Sequence, residues 1–134
     1  MNTLKIIKLK TFTKTSGDLL PIEFNKKFPI IVKRIFFIFG KKNKIRGDHA
    51  HKKCVQLFIP ISGKTALIIK NKNKNREIIL DPKKNKAALV PRLEWCKLRF
   101  LTKNAIIMVA CNRKYEFNDY IEKYNDFLKI KRDI

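Results

Sequence analysis

The chain has two histidines, and they stand one residue apart, as His49-Ala50-His51 within the stretch RGDHAHKKCVQLFIPISG at residues 46–63. Imidazole titrates near pH 6.5, roughly, so such a pair can take up and return protons close to neutrality. The apolar, turn-bounded surroundings read as strand, and on a strand successive side chains alternate faces. His49 and His51 then point the same way, with Asp48 and Ala50 opposite. Three uses are open to an inward-facing pair of imidazoles: binding a metal, acting as acid and base, or completing hydrogen bonds in a polar interior.

The elements that must hold this pair are short. Runs rich in Ile, Val and Phe recur along the chain: LKIIKL, LLPIEF, PIIVKRIFFIF, VQLFIPI, TALIIK, EIIL, AALV and NAIIMVA. Turn residues punctuate them at Ser16-Gly17-Asp18, Gly40, Ser62-Gly63 and Asp81-Pro82. Many short strands with tight turns and no interleaved helices predict an all-β sandwich or barrel. The low-complexity KNKNKNRE at residues 70–77 reads as an exposed hairpin tip. One helix is predicted at the C-terminus, where Tyr120, Ile121, Tyr124, Phe127 and Leu128 recur at helical spacing. Asp119 followed by Glu122 fits a capping box at its start.

Composition bounds the function. A length of 134 residues fits one domain, 1–134, and a hydrophobic content of 45% excludes disorder. No stretch approaches the roughly 20 apolar residues that span a bilayer, and MNTLKIIKLKTFTK lacks the apolar run of a secretory signal. A cytoplasmic protein with no membrane partner is expected. The net charge of +21 invites a nucleic-acid reading, yet only Arg34, Arg46, Arg76, Arg92, Arg99, Arg113 and Arg132 of the 32 basic residues are arginine. No groove-reading helix or base-stacking motif accompanies the scattered lysine, so no nucleic-acid partner is expected. The field still favours small anions such as nucleotide diphosphates. Cys54, Cys96 and Cys111 form no C-x-x-C and read as buried, reduced thiols.

The spacing Gly47-x-His49-x-His51, then Gln56 and Gly63, resembles the first motif of the cupin superfamily. That resemblance implies a double-stranded β-helix, or jelly roll, here followed by the C-terminal helix. Cupin metal sites usually add a further histidine from a later strand. This chain has none, and the amide of Gln56 is a poorer ligand than a carboxylate, so no metal is expected.

The longer string RGDHAHKKCVQ closely resembles the R-G-x-H-A-H-K-x-x-x-Q signature of the dTDP-4-keto-6-deoxyglucose 3,4-ketoisomerases, the FdtA/QdtA or WxcM-like type. RIFFIFG before it, SGKTALII after it, LVPRLEW and YEFNDYIEKYNDF match further family segments in order. The resemblance implies a homodimer with exchanged N-terminal strands that needs no cofactor and moves a carbonyl from C4 to C3 of a dTDP-linked 4-keto-6-deoxyhexose. The product would serve 3-amino-3,6-dideoxy sugars of surface glycans such as lipopolysaccharide.

That chemistry needs a base, an acid and a donor for the developing oxyanion. The resemblance makes His49 and His51 the catalytic pair; spacing leaves open which one takes the C3 proton. Arg46 is expected on the sugar or diphosphate, since guanidinium binds phosphate oxygens bidentately. Gln56, Trp95, Arg99 and Arg113 complete the expected substrate contacts, with Trp95 stacking on the base or lining the sugar pocket. Each has a bland alternative: an ion pair for Arg46, the polar interior for Gln56, the core for Trp95, solvent for the two arginines. Where the family commonly has tyrosine before the motif, this chain reads Phe36-Phe37, which leaves the oxyanion donor and the product configuration at C4 open. The rival functions are a metal-dependent cupin enzyme and a non-catalytic module that binds a nucleotide sugar or nucleic acid.

Overall fold

A computed structural model describes residues 4–72 and 74–133. Two five-stranded antiparallel sheets face each other across the main core. The first runs in the order β1 (Lys5–Lys8), β9 (Lys86–Val90), β6 (Gln56–Ser62), β11 (Ala105–Cys111) and β4 (Arg34–Gly40). The second runs β12 (Tyr120–Ile121), β5 (Ile45–His51), β10 (Trp95–Phe100), β7 (Thr65–Asn71) and β8 (Lys74–Leu80). A small hairpin pairs β2 (Phe12–Lys14) with β3 (Gly17–Leu19), and helix α1 spans Tyr124–Arg132. This is the cupin-type jelly roll with its C-terminal helix. No helix among the described residues is long and apolar enough to cross a membrane.

Burial explains the sequence pattern strand by strand. Phe58 of β6 and Ile107, Val109 and Cys111 of β11 point into the space between the sheets. Their neighbours Leu57, Ile59, Met108 and Ala110 point outward, yet they too are buried. Leu20, Ile22, Phe28, Ile30 and Val32 lie over them. Strands covered on both faces read as continuous apolar runs, as β6 and β11 do. LLPIEF is therefore not the strand its composition suggests. Beyond Leu19 it runs without strand pairing and serves as cover for the first sheet.

The cover stops short of β4, the edge of that sheet. Phe36 and Ile38 face the core, while Ile35, Phe37 and Phe39 alternate outward and are exposed, Phe39 by 73%. An apolar row of this kind on an edge strand calls for a partner.

Of the expected hairpin tip at residues 70–77, Lys70 and Asn71 are paired in β7 and Lys74, Asn75, Arg76 and Glu77 in β8, which leaves only residues 72 and 73 between the strands, the second of them outside the described residues. The C-terminal helix begins later than its sequence suggests. Tyr120 and Ile121 are extended and pair with His51 and Ala50, and the residue capping α1 is Lys123. The Asp119–Glu122 capping box does not form, because the Asp119 carboxylate is engaged by β5 and the residues after it.

Close packing makes one prediction. A Cβ on Gly40 would fall within the ring of Phe100, which is itself fully buried. Gly40→Ala should lower stability by about 1–3 kcal/mol, the range for overpacking a filled core. Urea unfolding reads this directly, and an unchanged midpoint would show that the ring can give way.

Candidate active site

His49 and His51 stand together as their alternation requires. Their rings meet edge to face with centroids 5.1 Å apart. The residues between and before them face the other way: Ala50 is buried against Trp95, and Asp48 accepts a hydrogen bond of 2.9 Å from the Trp95 indole N–H.

The two histidines differ in their partners. His51 is 5% exposed, and its Nδ1 lies 2.9 Å from Asp119 Oδ2. The same carboxylate accepts from the backbone N–H of Lys53 at 2.7 Å and of Cys54 at 3.3 Å. Burial alone would raise the pKa of Asp119, but the bond from His51 and the two backbone donors outweigh it and hold the group below the ordinary carboxylate range. An ionised carboxylate only accepts, so Nδ1 of His51 carries the proton. Its Nε2 is left with a lone pair and has no partner among the described residues.

Both imidazoles are neutral near pH 7. Burial pulls His51 below the usual histidine value despite Asp119. Burial, reinforced by His51 beside it, lowers His49 to about 4.

A third ring completes the cluster. Tyr120 packs 4.4 Å from His51 and 5.0 Å from His49, because β12 pairs residue for residue with the end of β5. Burial raises the phenol of Tyr120, so it stays protonated and can donate. Neither Asp119 nor Tyr120 stood out as a site residue, although both lie in the matched segment YEFNDYIEKYNDF. Behind them Cys111 accepts weak contacts from Gln56 Nε2 at 3.6 Å and Arg34 Nη2 at 3.5 Å. Cys54, Cys96 and Cys111 are all free and buried.

His49 and Tyr120 of the cluster line a cavity of about 450 Å³ beside β4 and β5, and His51 lies behind them; the size suits a small ligand. Phe36, Ile38, Phe58 and Leu98 make one wall apolar, while Arg46, His49, Gln56 and Tyr120 supply polar groups to the other. Arg46 is free to meet a ligand, since no ion pair among the described residues includes it.

Three expected contacts are not brought there. Trp95 is 3% exposed and packs under α1 between Tyr124 and Phe127, on the face of the sheet opposite the histidines. Strand alternation sends Arg99 outward between the core residues Leu98 and Phe100. Arg113 is tied to Glu116 by a 2.6 Å contact and does not line the cavity.

His51, Cys54 and Asp119 have donor atoms within 4.8 Å of one another; His51 Nδ1 and the Asp119 carboxylate are engaged with each other and with backbone N–H groups, while His51 Nε2 keeps its lone pair. Gln56 turns its amide to Cys111.

Comparison with known proteins places this geometry. Residues 2–132 match the family model described as FdtA: WxcM-like, C-terminal. A TDP-4-oxo-6-deoxy-alpha-D-glucose-3,4-oxoisomerase of Aneurinibacillus thermoaerophilus is 32% identical over 126 residues, 93% of this chain and 90% of that one. A 3,4-ketoisomerase from Helicobacter canadensis superposes with TM-score 0.88 at 28% identity, covering 97% of this chain and 98% of the other. The QdtA sugar 3,4-ketoisomerase of Thermoanaerobacterium thermosaccharolyticum, solved with TDP, gives TM-score 0.89 at 27% identity, with 97% and 95% covered.

Neutral buried histidines carry a stability signature. A lowered folded-state value means that the unfolded chain binds the proton first as pH falls, so stability declines from about pH 6.5 downward. For His49 the decline continues to about 4; the depressed Asp119 contributes stability that is lost only below the ordinary carboxylate range. Wild type should therefore lose stability between pH 7 and pH 5, and His49→Gln should lose less, by on the order of 1 kcal/mol after allowance for partial solvent screening. Equal losses in urea melts at the two pH values would contradict a neutral His49.

Proposed function

The chain belongs to the FdtA, WxcM-like family, and we propose that its His51–Asp119 pair drives a 3,4-ketoisomerisation of dTDP-4-keto-6-deoxy-D-glucose. The protein is an isomerase of nucleotide-linked keto sugars. The observation that carries the assignment of roles is the bond from His51 Nδ1 to Asp119, which leaves Nε2 bare beside two cavity-lining rings.

The C4 ketone acidifies the hydrogen on C3. His51 Nε2 takes that proton, and the imidazolium so formed is stabilised by the Asp119 carboxylate. The electron pair forms the C3–C4 double bond, and the C4 oxygen becomes an oxyanion that receives a proton. Tyr120 is the donor suited to it. A phenol from β12 thus supplies the hydroxyl missing at Phe36 and Phe37. Return of a proton to C4 and loss of the C3 hydroxyl proton leave the ketone at C3, with no net gain or loss of electrons. His49, neutral and on the cavity wall, relays protons between the sugar oxygens and His51. The diphosphate is assigned to Arg46 and the sugar to Gln56 and the aromatic wall. A cytoplasmic location fits a nucleotide-linked substrate.

Incubation with dTDP-4-keto-6-deoxyglucose after exhaustive chelation should give a dTDP-3-keto-6-deoxyhexose by NMR. His51→Asn and His49→Asn should fold, bind dTDP and lose turnover on the order of 100-fold or more. Recovery of activity only with added metal, or variants that isomerise at near wild-type rates, would remove the assignment.

The same reading includes a homodimer. The exposed row Ile35, Phe37 and Phe39 supports it. β1 pairs with β9 of its own chain in four register positions, and a second copy can make the same pairing by exchange. Light scattering at micromolar concentration should report a dimer; a monomer would contradict the reading.

A further inference from the structure

Arg46 and His49 both line the cavity, although they are three residues apart on one strand. An unbroken strand would send them to opposite faces. The pairing of β5 with β10 shows why they agree. Leu98 stands opposite Arg46 and Lys97 opposite Gly47, but Cys96 stands opposite His49. Asp48 is the extra residue of a β-bulge, and the register resets across it. Leu98 and Cys96 both point into the core, so their partners Arg46 and His49 point inward together.

The bulge is bent by two successive left-handed residues, Gly47 at φ +84° and Asp48 at φ +65°. Gly47 meets no obstacle, since an added Cβ would find ordinary contact distances of 3.5 Å and beyond; its need is conformational. Asp48 tolerates this conformation less readily than glycine and is held from outside. Trp95 Nε1 donates to its carboxylate at 2.9 Å. That indole is itself wedged by Tyr124 at 5.2 Å and Phe127 at 5.6 Å, both on α1.

We propose that Asp48 and Trp95 are positioning residues: the indole clamps the Gly47–Asp48 bulge so that His49 and Arg46 share one cavity. Neither touches the cavity. Trp95, placed far from the ligand by the fold, acts through β5, and helix α1 acts through Trp95. The clamp works by hydrogen bond and backbone shape, not by the charge of Asp48. That separates it from a simple electrostatic effect on His49, which also has His51 and Tyr120 facing it.

The test is a short series with two readouts. Asp48→Asn keeps an oxygen for the indole and tolerates a left-handed backbone, so it should retain at least about a third of the activity. Asp48→Ala loses both, and Trp95→Phe loses the donor while keeping an aromatic ring. Each should lower kcat about tenfold or more and raise KM, because His49 and Arg46 move together; displacements of about 1 Å have such effects. The activity arm rests on the ketoisomerase reading. The second arm does not: the two histidine Cε1–H resonances, assigned by single His→Gln variants, are titrated by NMR. In Trp95→Phe the His49 midpoint should move up toward that of a free imidazole, while His51, held by Asp119, keeps its own. An unmoved His49 in Trp95→Phe and Asp48→Ala overturns the clamp, whatever the assay reads. Equal losses in Asp48→Asn and Asp48→Ala overturn it in favour of charge. A wild type without isomerase activity overturns the function alone and leaves the resonance arm to decide the clamp.

Discussion

One buried hydrogen bond organises the site: Asp119 against His51. Taking a carboxylate out of water costs on the order of several kcal/mol unless its lone pairs are filled. Here they are filled by an imidazole N–H and two backbone N–H groups from the turn after β5. Meeting that demand pins the chain leaving the first sheet against the edge of the second. Tyr120 is then delivered next to both histidines, and Ile121 opposite Ala50. The following helix is set over Trp95, where Phe127, Leu93 and Ile121 close a small apolar cluster of their own. The active-site tautomer, the third ring and the seat of the helix are consequences of the same contact.

The two walls of the cavity divide the work. The apolar wall comes from β4, β6 and β10, and an apolar lining strengthens charges and dipoles near it by lowering the local dielectric. The polar wall comes from β5 and β12, the strands that Asp119 ties together, with Gln56 added from the start of β6. The chain's net charge of +21 adds a long-range pull on an anionic ligand. That pull is diffuse, however, and Arg46 gives it a direction by standing at the cavity with no ion-pair partner among the described residues.

Much of this was legible from the residues. The His-x-His alternation is local, and local periodicity survives folding, so both imidazoles stand where it puts them. An all-β sandwich or barrel followed from short apolar runs and turn residues, and the jelly roll from the resemblance carried by the His-x-His motif. Asp119 was misread because Asp-x-x-Glu before an apolar run is a true capping signal. A competing acceptor role, with donors more than sixty residues away in sequence, overrode it. LLPIEF has strand composition, but a sheet whose outer face is apolar needs cover more than another strand. Trp95 was misplaced for a related reason: alternation along β10 is readable, but not which face would meet a helix. The bulge at Gly47–Asp48 has no sequence signature beyond one glycine, so the reset that unites Arg46 with His49 could not be seen.

The role proposed for His51 depends on where the proton of its neutral ring resides. A two-bond nitrogen–proton correlation spectrum of the imidazoles at pH 7 reads this without substrate or turnover. The prediction is a His51 protonated on Nδ1 with an unprotonated Nε2, the state that an ionised Asp119 imposes through its 2.9 Å contact. A His51 protonated on Nε2, or on both nitrogens, would mean that the lone pair assigned to the C3 proton is absent, and the proposed base would have to be sought elsewhere.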